Sequence, residues 1–325
     1  MYSDEYKGVA MVVKSHRTPK IAIITRTKNR PVLLERALQS MSEQTYDDYV
    51  HVIVNDGGDK KKLESLLERY PSSRRKVLHN EKSIGLTPAL NQGIQAVMSE
   101  YVAILDDDDS LHENRLSLAV EYLDNHPDSV GVVHVMDRVV EEIDDGVIRE
   151  LSRNRWHEEM QAISLYKQCI DNYMTNGAFT YRRVLYDELG GYDESLPAAE
   201  DWDFGIRTLL RYDLEILPSK YAVSYYHHRP AQKGDDGNSV FASISSHQEA
   251  LNKLQNKYLR DDINSGKLGV GYIMNNLRYE RELESDRDEK SNARVVRLEG
   301  HMNHVGDTII QSSVLRKVRN KILKR

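Results

Sequence analysis

Cysteine occurs once, at Cys169. No internal disulfide can form, and a reducing compartment is the expected setting. Long apolar runs are missing too: none approaches the ~20 residues needed to span a bilayer, and no secretory signal opens the sequence. The expected location is therefore cytoplasmic, with any membrane contact made at the surface of the inner face. No G-x-G-x-x-G follows the first apolar run, so a nicotinamide or flavin site is poorly supported. The absence of G-x-x-x-x-G-K-[ST] removes a P-loop. An excess of positive charge is also lacking, and the net charge of -6 argues against nucleic acid as a partner. What remains is a 325-residue chain, 39% hydrophobic and 30% charged, with the composition of a soluble globular protein. That length allows one large α/β domain with an extension, or two domains.

The stretch that organises the rest is Tyr101 to Leu116, YVAILDDDDSLHENRL. Tyr101 to Leu105 reads as an internal strand of a parallel sheet, and Asp106-Asp107-Asp108-Asp109 falls at its carboxyl end. Open α/β sheets bind ligands at that end. Adjacent carboxylates repel unless a cation neutralises them, and clustered hard oxygens suit Mg²⁺ or Mn²⁺. The plainer alternative is an acidic loop capping a helix that starts near Glu113.

Before this stretch, strands and helices alternate. Ile21 to Thr25 reads as a strand, and Pro31 fits the first position of a helix carrying Leu33, Leu34, Ala37, Leu38 and Met41. Tyr49 to Val54 and Lys76 to His79 read as further strands, with a helix through Leu63, Leu66 and Leu67 between them. The loop Ser83 to Pro88 leads into a helix with Leu90, Asn91 and Ile94. Such alternation predicts a doubly wound, mostly parallel sheet with helices on both faces. Its strand ends bring Thr25 to Arg30, Asn55-Asp56 and Asp106 to Asp109 to one crevice. Asp56 closing the second strand suits a hydrogen bond to a base or ribose; as Asp-Gly it also suits a plain turn.

After the acidic cluster, Leu116 to Leu123 reads as a helix and Val130 to Val135 as a strand. Residues 137 to 150 read as acidic and turn-like around Asp144-Asp145-Gly146, and Trp156 to Ile170 as weakly helical. A second chemical stretch, Ala199-Glu200-Asp201-Trp202-Asp203-Phe204, opens an amphipathic helix, where acids can also serve as caps. Tyr221 to Tyr226 reads as a strand that delivers His227-His228-Arg229-Pro230. A histidine pair at a strand end, in a chain with an acidic cluster, is a candidate metal ligand or a structural pair.

The T-x-x-R-P of Thr27 to Pro31, VNDGG at Val54 to Gly58, G-x-x-x-A-x-N-x-G at Gly85 to Gly93, L-D-x-D-D at Leu105 to Asp109 and A-E-D-W-D at Ala199 to Asp203 stand in one order. Together they resemble the family 2 glycosyltransferases, inverting enzymes with the GT-A fold, over roughly residues 20 to 230. The resemblance implies that Asp56 contacts the nucleobase, Asn91 helps hold the nucleotide and Asp106 touches the ribose. Thr25, Thr27, Asn29, Arg30 and Asp107 are expected on the same nucleotide-sugar side. Asp108 would bind a divalent metal, Mn²⁺ or Mg²⁺, with a late histidine. The doubled His227-His228 leaves that histidine ambiguous, and His228 is favoured because the family often places it three residues after a Tyr, here Tyr225. Asp201, paired with Glu200, would be the catalytic base. Asn176, Gly177 and Trp202 are expected on the acceptor side.

Cleaving a sugar–diphosphate bond leaves charge that a divalent ion can stabilise. A carboxylate on the opposite face must take the acceptor's proton, and Trp202 beside Asp201 could partly desolvate it. The expected function is transfer from a nucleotide-sugar, UDP-linked, to a glycan or lipid-linked acceptor in bacterial surface polysaccharide synthesis. Rivals are a catalytically inactive carbohydrate-binding relative and a haloacid dehalogenase-like phosphatase, suggested by Asp106-x-Asp108-x-Ser110. The phosphatase family carries its motif after the first strand, whereas several strands precede it here.

The expected domain layout is an arm at 1–19, a GT-A domain at 20–242 and a helical extension at 243–325. Within the GT-A domain, 20–136 is the nucleotide-sugar half and 137–242 the acceptor half. In the extension, 243–260 and 267–284 read as polar helices. Val295, Leu298, Met302, Val305 and Ile309 form a short heptad seam, suited to packing on the catalytic domain or to a homo-oligomer. Residues 314–325 are basic and amphipathic, suited to a membrane surface or to solvent.

Overall fold

A computed structural model describes residues 18–157, 162–217, 219–220, 222–232, 234, 237–238 and 244–275. The expected arm up to residue 17, the heptad seam at 295–309 and the basic stretch at 314–325 lie outside the described residues.

The main sheet has seven strands in the order β10-β6-β9-β4-β1-β2-β3. In chain order these are β1 (Ile21–Thr27), β2 (Tyr49–Asp56), β3 (Arg75–Asn80), β4 (Tyr101–Ile104), β6 (Gly131–Val133), β9 (Phe179–Arg182) and β10 (Glu215–Ile216). β4, β1, β2 and β3 run parallel, while β9 is antiparallel to both β4 and β6. The sheet is mostly parallel, as the strand–helix alternation predicts.

β1 is apolar on both sides because it lies inside the sheet, with a helical layer on each face. Ile21 and Ile23 join Leu34, Ala37 and Leu38 of α1 (Pro31–Ser42), Leu63 and Leu66 of α2 (Lys60–Glu68), and Leu116 and Val120 of α4 (Arg115–Asn125) in one core. Ala22 and Ile24 face the other way, onto Ala89, Leu90 and Ile94 of α3 (Leu86–Gln95), Leu185 of α6 (Arg183–Leu189) and Phe204 of α7 (Glu200–Leu209). α3 approaches the sheet closely at Gly93, where a Cβ would fall 2.5 Å from the Ile24 side chain and 3.0 Å from Val54. Only glycine lets the helix pack at that depth.

A second sheet of four strands, β5-β11-β7-β8, stands beside the acidic strand end. β5 (Ser110–Leu111) directly follows the carboxylates, β7 (Met136–Asp144) and β8 (Val147–Arg155) form a hairpin, and β11 (Ser224–His228) runs parallel to β7. The hairpin corrects the turn-like reading of 137–150. Only Asp145-Gly146 is the turn, with φ of 49° and 76°, which is the pattern of a two-residue type I′ connection. The weakly helical reading of Trp156 to Ile170 also contracts: Ser164 caps α5 (Leu165–Ile170), and Trp156 leaves the hairpin without starting a helix.

Arg115 ties the two sheets at the first turn of α4. It is 1% exposed, and its guanidinium donates to Ser224 Oγ of β11, Thr180 Oγ1 of β9 and the Gly177 carbonyl. These partners are all neutral, and burial pushes its pKa down to about 9. The main body closes with the first part of α8 (Ile244–Ser265), where Lys257 bridges Asp193 and Asp203 at 2.7 Å each. A second unit, from Tyr258 onward, continues α8 and resumes as helix at 270–275.

Candidate active site

The carboxyl ends of β1, β2 and β4 open onto a cavity of about 820 Å³. Its wall includes Thr27, Arg30, Asp56, Asp106, Asp107, Asp108, Asn176, Gly177, Glu200, Asp201, Trp202 and His228. Twelve residues singled out in the sequence thus meet in one place, from Thr27 to His228. Thr25, Asn29, Asn91 and His227 face elsewhere.

Each of those four has a structural partner. Thr25 is fully buried and pairs with His51 Nε2 at 2.9 Å on the neighbouring strand β2. Asn29, at φ 57°, accepts from the Asp59 amide at 2.7 Å and so fixes the start of α2. Asn91 Nδ2 donates to the Tyr192 carbonyl and Glu194, while its Oδ1 accepts from Tyr186 and from the Tyr192 amide. It therefore clamps the 190–194 loop onto α3. His227 is buried between Ser110 Oγ, 2.8 Å away, and Glu141 Oε2, also 2.8 Å.

The strand alternation of β11 is what separates the two histidines. With His227 turned into the sheet, Tyr226 and His228 face the cavity. Burial, then Arg138 and Arg229, pushes the His228 pKa down, so its ring is neutral near pH 7 and its nitrogens can act as ligands.

The acidic cluster is neutralised by arginines, of which the motif reading gives a role to Arg30 alone, on the nucleotide-sugar side. Arg26 Nη1 donates to Glu200 at 2.7 Å and Nη2 to Asp106 at 2.8 Å. Arg30 spans Asp107 and Asp108, at 2.7 and 2.8 Å. Arg229, 0% exposed, joins Asp108 Oδ2 at 2.5 Å to Glu141 Oε1 at 2.6 Å. Glu141 in turn accepts from Arg36 at 2.7 Å, and Arg36 also donates to the Asp108 carbonyl. Glu141 gives no signal in the turn-like reading of 137–150; its place is visible only in the folded strand. From Val139 the β7 pattern alternates buried and partly exposed, which puts a glutamate on the inward face, where it needs a basic partner.

The four carboxylates consequently differ. Burial would raise Asp108, but Arg30 and Arg229 overcome it and hold the group below the ordinary carboxylate value. Asp107 is pushed up to about 7 by burial, against the pull of Arg30. Asp109 lies well above its ordinary value through burial and then Asp108 and Asp106; it accepts from the His227 amide at 3.0 Å. Asp106 spans the crevice, bonded to Arg26 on one oxygen and Asn176 Nδ2, 3.2 Å away, on the other.

Asp56 has a different engagement. Asn80 Nδ2 and the Ile84 amide donate to Oδ1, while Ser83 Oγ and the Gly85 amide donate to Oδ2. Although burial opposes it, these four bonds lower its pKa. They shape the 83–85 loop at the edge of the cavity, against Gly57, whose φ of 80° and 2.4 Å Cβ clearance to Ser83 N admit glycine alone.

Across the crevice, α7 begins at Glu200 after Ala199, held at φ 60°, a conformation costly for a residue with a Cβ. Asp201 Oδ1 accepts from the Trp202 amide at 2.7 Å. Burial of its carboxyl, then the charges of Glu200 and Asp106, pushes the pKa up to about 7. A carboxyl poised there is basic enough to accept a proton at neutral pH and still substantially ionised.

A divalent metal is the cofactor to test against this arrangement. Among the described residues no three His, Cys, Asp or Glu side chains form a metal cage. Asp108 and His228 nevertheless both line the cavity and supply a hard oxygen and a neutral imidazole. Mg²⁺ and ions like it are commonly held by one or two protein groups together with substrate phosphates, so the donor set fits in kind.

The model of glycosyl transferase family 2 matches residues 22–190 of the chain. A curated relative, the uncharacterized glycosyltransferase YwdF of Bacillus subtilis strain 168, is 27% identical over 248 residues, 74% of this chain and 84% of its own. Among solved structures, the mannosyltransferase PcManGT of Pyrobaculum calidifontis, in complex with GDP-Man and Mn²⁺, superposes with a TM-score of 0.51. It is 17% identical and the match covers 81% of this chain and 70% of that one. TarS 1–349 of S. aureus, in complex with UDP-GlcNAc, gives a TM-score of 0.50 at 19% identity, covering 66% of this chain and 60% of that one. At these identities the two structures establish the shared fold, the GT-A arrangement expected from the motifs.

Proposed function

The chain belongs to glycosyl transferase family 2 and is a glycosyltransferase, and on that premise we propose that it is a metal-dependent inverting enzyme. Its donor is a nucleotide-sugar, UDP-linked, and its acceptor a hydroxyl of a glycan or lipid-linked saccharide in surface polysaccharide synthesis. The observation that carries this reading is that Asp201, raised to about 7, shares one cavity with Asp106 to Asp108.

In the proposed reaction the acceptor oxygen attacks the anomeric carbon while Asp201 takes its proton. The bond from that carbon to the diphosphate oxygen breaks, the nucleoside diphosphate leaves, and the configuration inverts in one displacement. Asp108 and His228 would hold the metal, which when bound offsets negative charge on the leaving diphosphate. Arg26 keeps Glu200 paired, so that the neighbouring Asp201 is the group left to accept a proton. Asn176 positions Asp106 from the acceptor side. The complexes of two fold relatives with nucleotide-sugars support the donor class, and the Mn²⁺ of one supports the ion.

A nucleotide-sugar panel screened by thermal shift, with and without Mn²⁺, tests the reading, because a ligand that prefers the native state raises its melting temperature. UDP and UDP-sugars are expected to stabilise the protein in a Mn²⁺-dependent way, with slow release of UDP. A flat panel accompanied by hydrolysis of p-nitrophenyl phosphate would favour the phosphatase reading instead.

A further inference from the structure

The chain has two tryptophans, Trp156 and Trp202, and both line the same cavity, together with Tyr226. They come from three different segments: the end of the β7–β8 hairpin, the first turn of α7, and β11. Large aromatic side chains that meet on a cavity wall, and are not closed over by the core, leave apolar faces for a ligand.

Each ring is held in place. The Trp202 indole N–H donates to the Gln168 carbonyl. Trp156 is fixed at its backbone, whose amide donates to the Met136 carbonyl at 2.9 Å, and at its ring, which meets Tyr226 edge-on at 5.3 Å and 64°. The Arg138 guanidinium lies 5.4 Å from the Trp156 ring centre. Such a wall is ordered before any ligand arrives, which keeps the entropic cost of binding low. Asp171 and Asn172 line the same cavity and offer oxygens and an amide to hydroxyl groups. Tyr226 also lies 5.9 Å, ring to ring, from His228. A group resting on the wall therefore shares the cavity with Asp108, His228 and Asp201.

We propose that Trp156, Trp202 and Tyr226 form a carbohydrate subsite that holds a pyranose ring of the acceptor. This rests on the glycosyltransferase reading above and narrows its acceptor from any glycan to one that presents a cyclic saccharide, as opposed to an acyclic polyol. A pyranose combines a flat face of C–H groups with a rim of hydroxyls, matching aromatic faces flanked by polar side chains. An acyclic polyol carries similar hydroxyls without the flat face. A nucleobase is also flat, but its binding would make the wall part of the donor site.

The test uses the full chain with UDP and Mn²⁺ present, and reads tryptophan fluorescence under selective excitation, since both tryptophans are in the wall. Cellobiose and N,N′-diacetylchitobiose are expected to change the emission saturably, and mannitol at equal concentration is expected to leave it unchanged. Trp156→Ala, read through Trp202, should weaken disaccharide affinity about tenfold, the scale of a lost aromatic contact. Trp156→Phe should recover most of it and also serves if the alanine variant fails to fold. UDP affinity by calorimetry should stay within about twofold in both. No saturable response to either disaccharide, an equal response to mannitol, or a sugar affinity unmoved by both Trp156 substitutions would overturn the subsite. Loss of UDP affinity in Trp156→Ala would overturn it too, by assigning the wall to the base. If disaccharides bind and UDP does not, the subsite stands and the donor reading fails.

Discussion

Asp108 and Asp201 are carboxylates of one cavity in opposite surroundings. Asp108 lies between Arg30 and Arg229, and stays below the ordinary carboxylate value in spite of burial. Asp201 has Glu200 and Asp106 as its nearest charged company, with Arg26 already paired to both, and rises to about 7. The difference teaches how one fold keeps a permanent anion and a proton acceptor apart: cations from the β1–α1 loop and from the end of β11 stand at Asp108, whereas the cation near α7 is already engaged. Pairs of titratable groups pushed apart in this way mark divided roles in acid–base chemistry.

Breaking the permanent anion should have the largest effect. Asp108→Asn is expected to lower turnover roughly 10³-fold and to remove the metal-dependent part of UDP binding, the scale of losing one electrostatic stabiliser of developing charge. Steady-state rates and calorimetry with and without Mn²⁺ check this. His228→Ala should behave the same way. His227→Ala should instead lose stability, by roughly 1–3 kcal/mol, because it takes a buried hydrogen-bond partner from Ser110 and one of three from Glu141. Exchanged outcomes for the two histidines would reverse the assignment.

Next comes the scaffold behind that anion. Glu141 ties Arg36, Arg229 and His227. Its replacement by alanine takes one carboxylate from the fully buried Arg229 and from the partly buried Arg36 and is expected to destabilise by about 3–5 kcal/mol. Denaturant unfolding measures it; a loss under about 1 kcal/mol would mean that the arginines find other partners.

The comparison also predicts pH behaviour. A general base works when deprotonated, so activity should rise as pH increases through about 7, the value given to Asp201 by burial, Glu200 and Asp106. Arg26 lowers the Asp201 pKa, so Arg26→Met should move that limb to higher pH; a limb that moves down or stays fixed would contradict the electrostatic assignment. The smallest effect is expected at Ala199. Its φ of 60° suits glycine, and Ala199→Gly should gain up to about 1 kcal/mol in thermal unfolding.

Much of this fold could be read before the structure. Pro31 at a helix start, the apolar β1 and the carboxylates after Leu105 carry their signals within a few residues, and all appear as expected. The hairpin did not, because β8 is exposed and charged along most of its length, so it lacks the apolar alternation that identifies a strand. At the site, Asp56, Asp106, Asp108 and Asp201 were legible as motif members that reach one cavity. Arg229 and Glu141 were not, since their contact joins residues 88 apart and exists only once β11 pairs with β7. Asn91 shows the converse: its motif is plain, yet its side chain holds the 190–194 loop.

The central claim is that Asp201 accepts the acceptor's proton while the donor is held across the crevice. Asp201→Asn keeps the size of the side chain and can still cap α7, but it cannot take a proton. A single-turnover rate measured beside donor calorimetry on this variant should show a loss of about 10²- to 10⁴-fold in rate with donor affinity unchanged. Near-normal turnover, or collapse of donor binding in a protein that remains folded, would contradict the account.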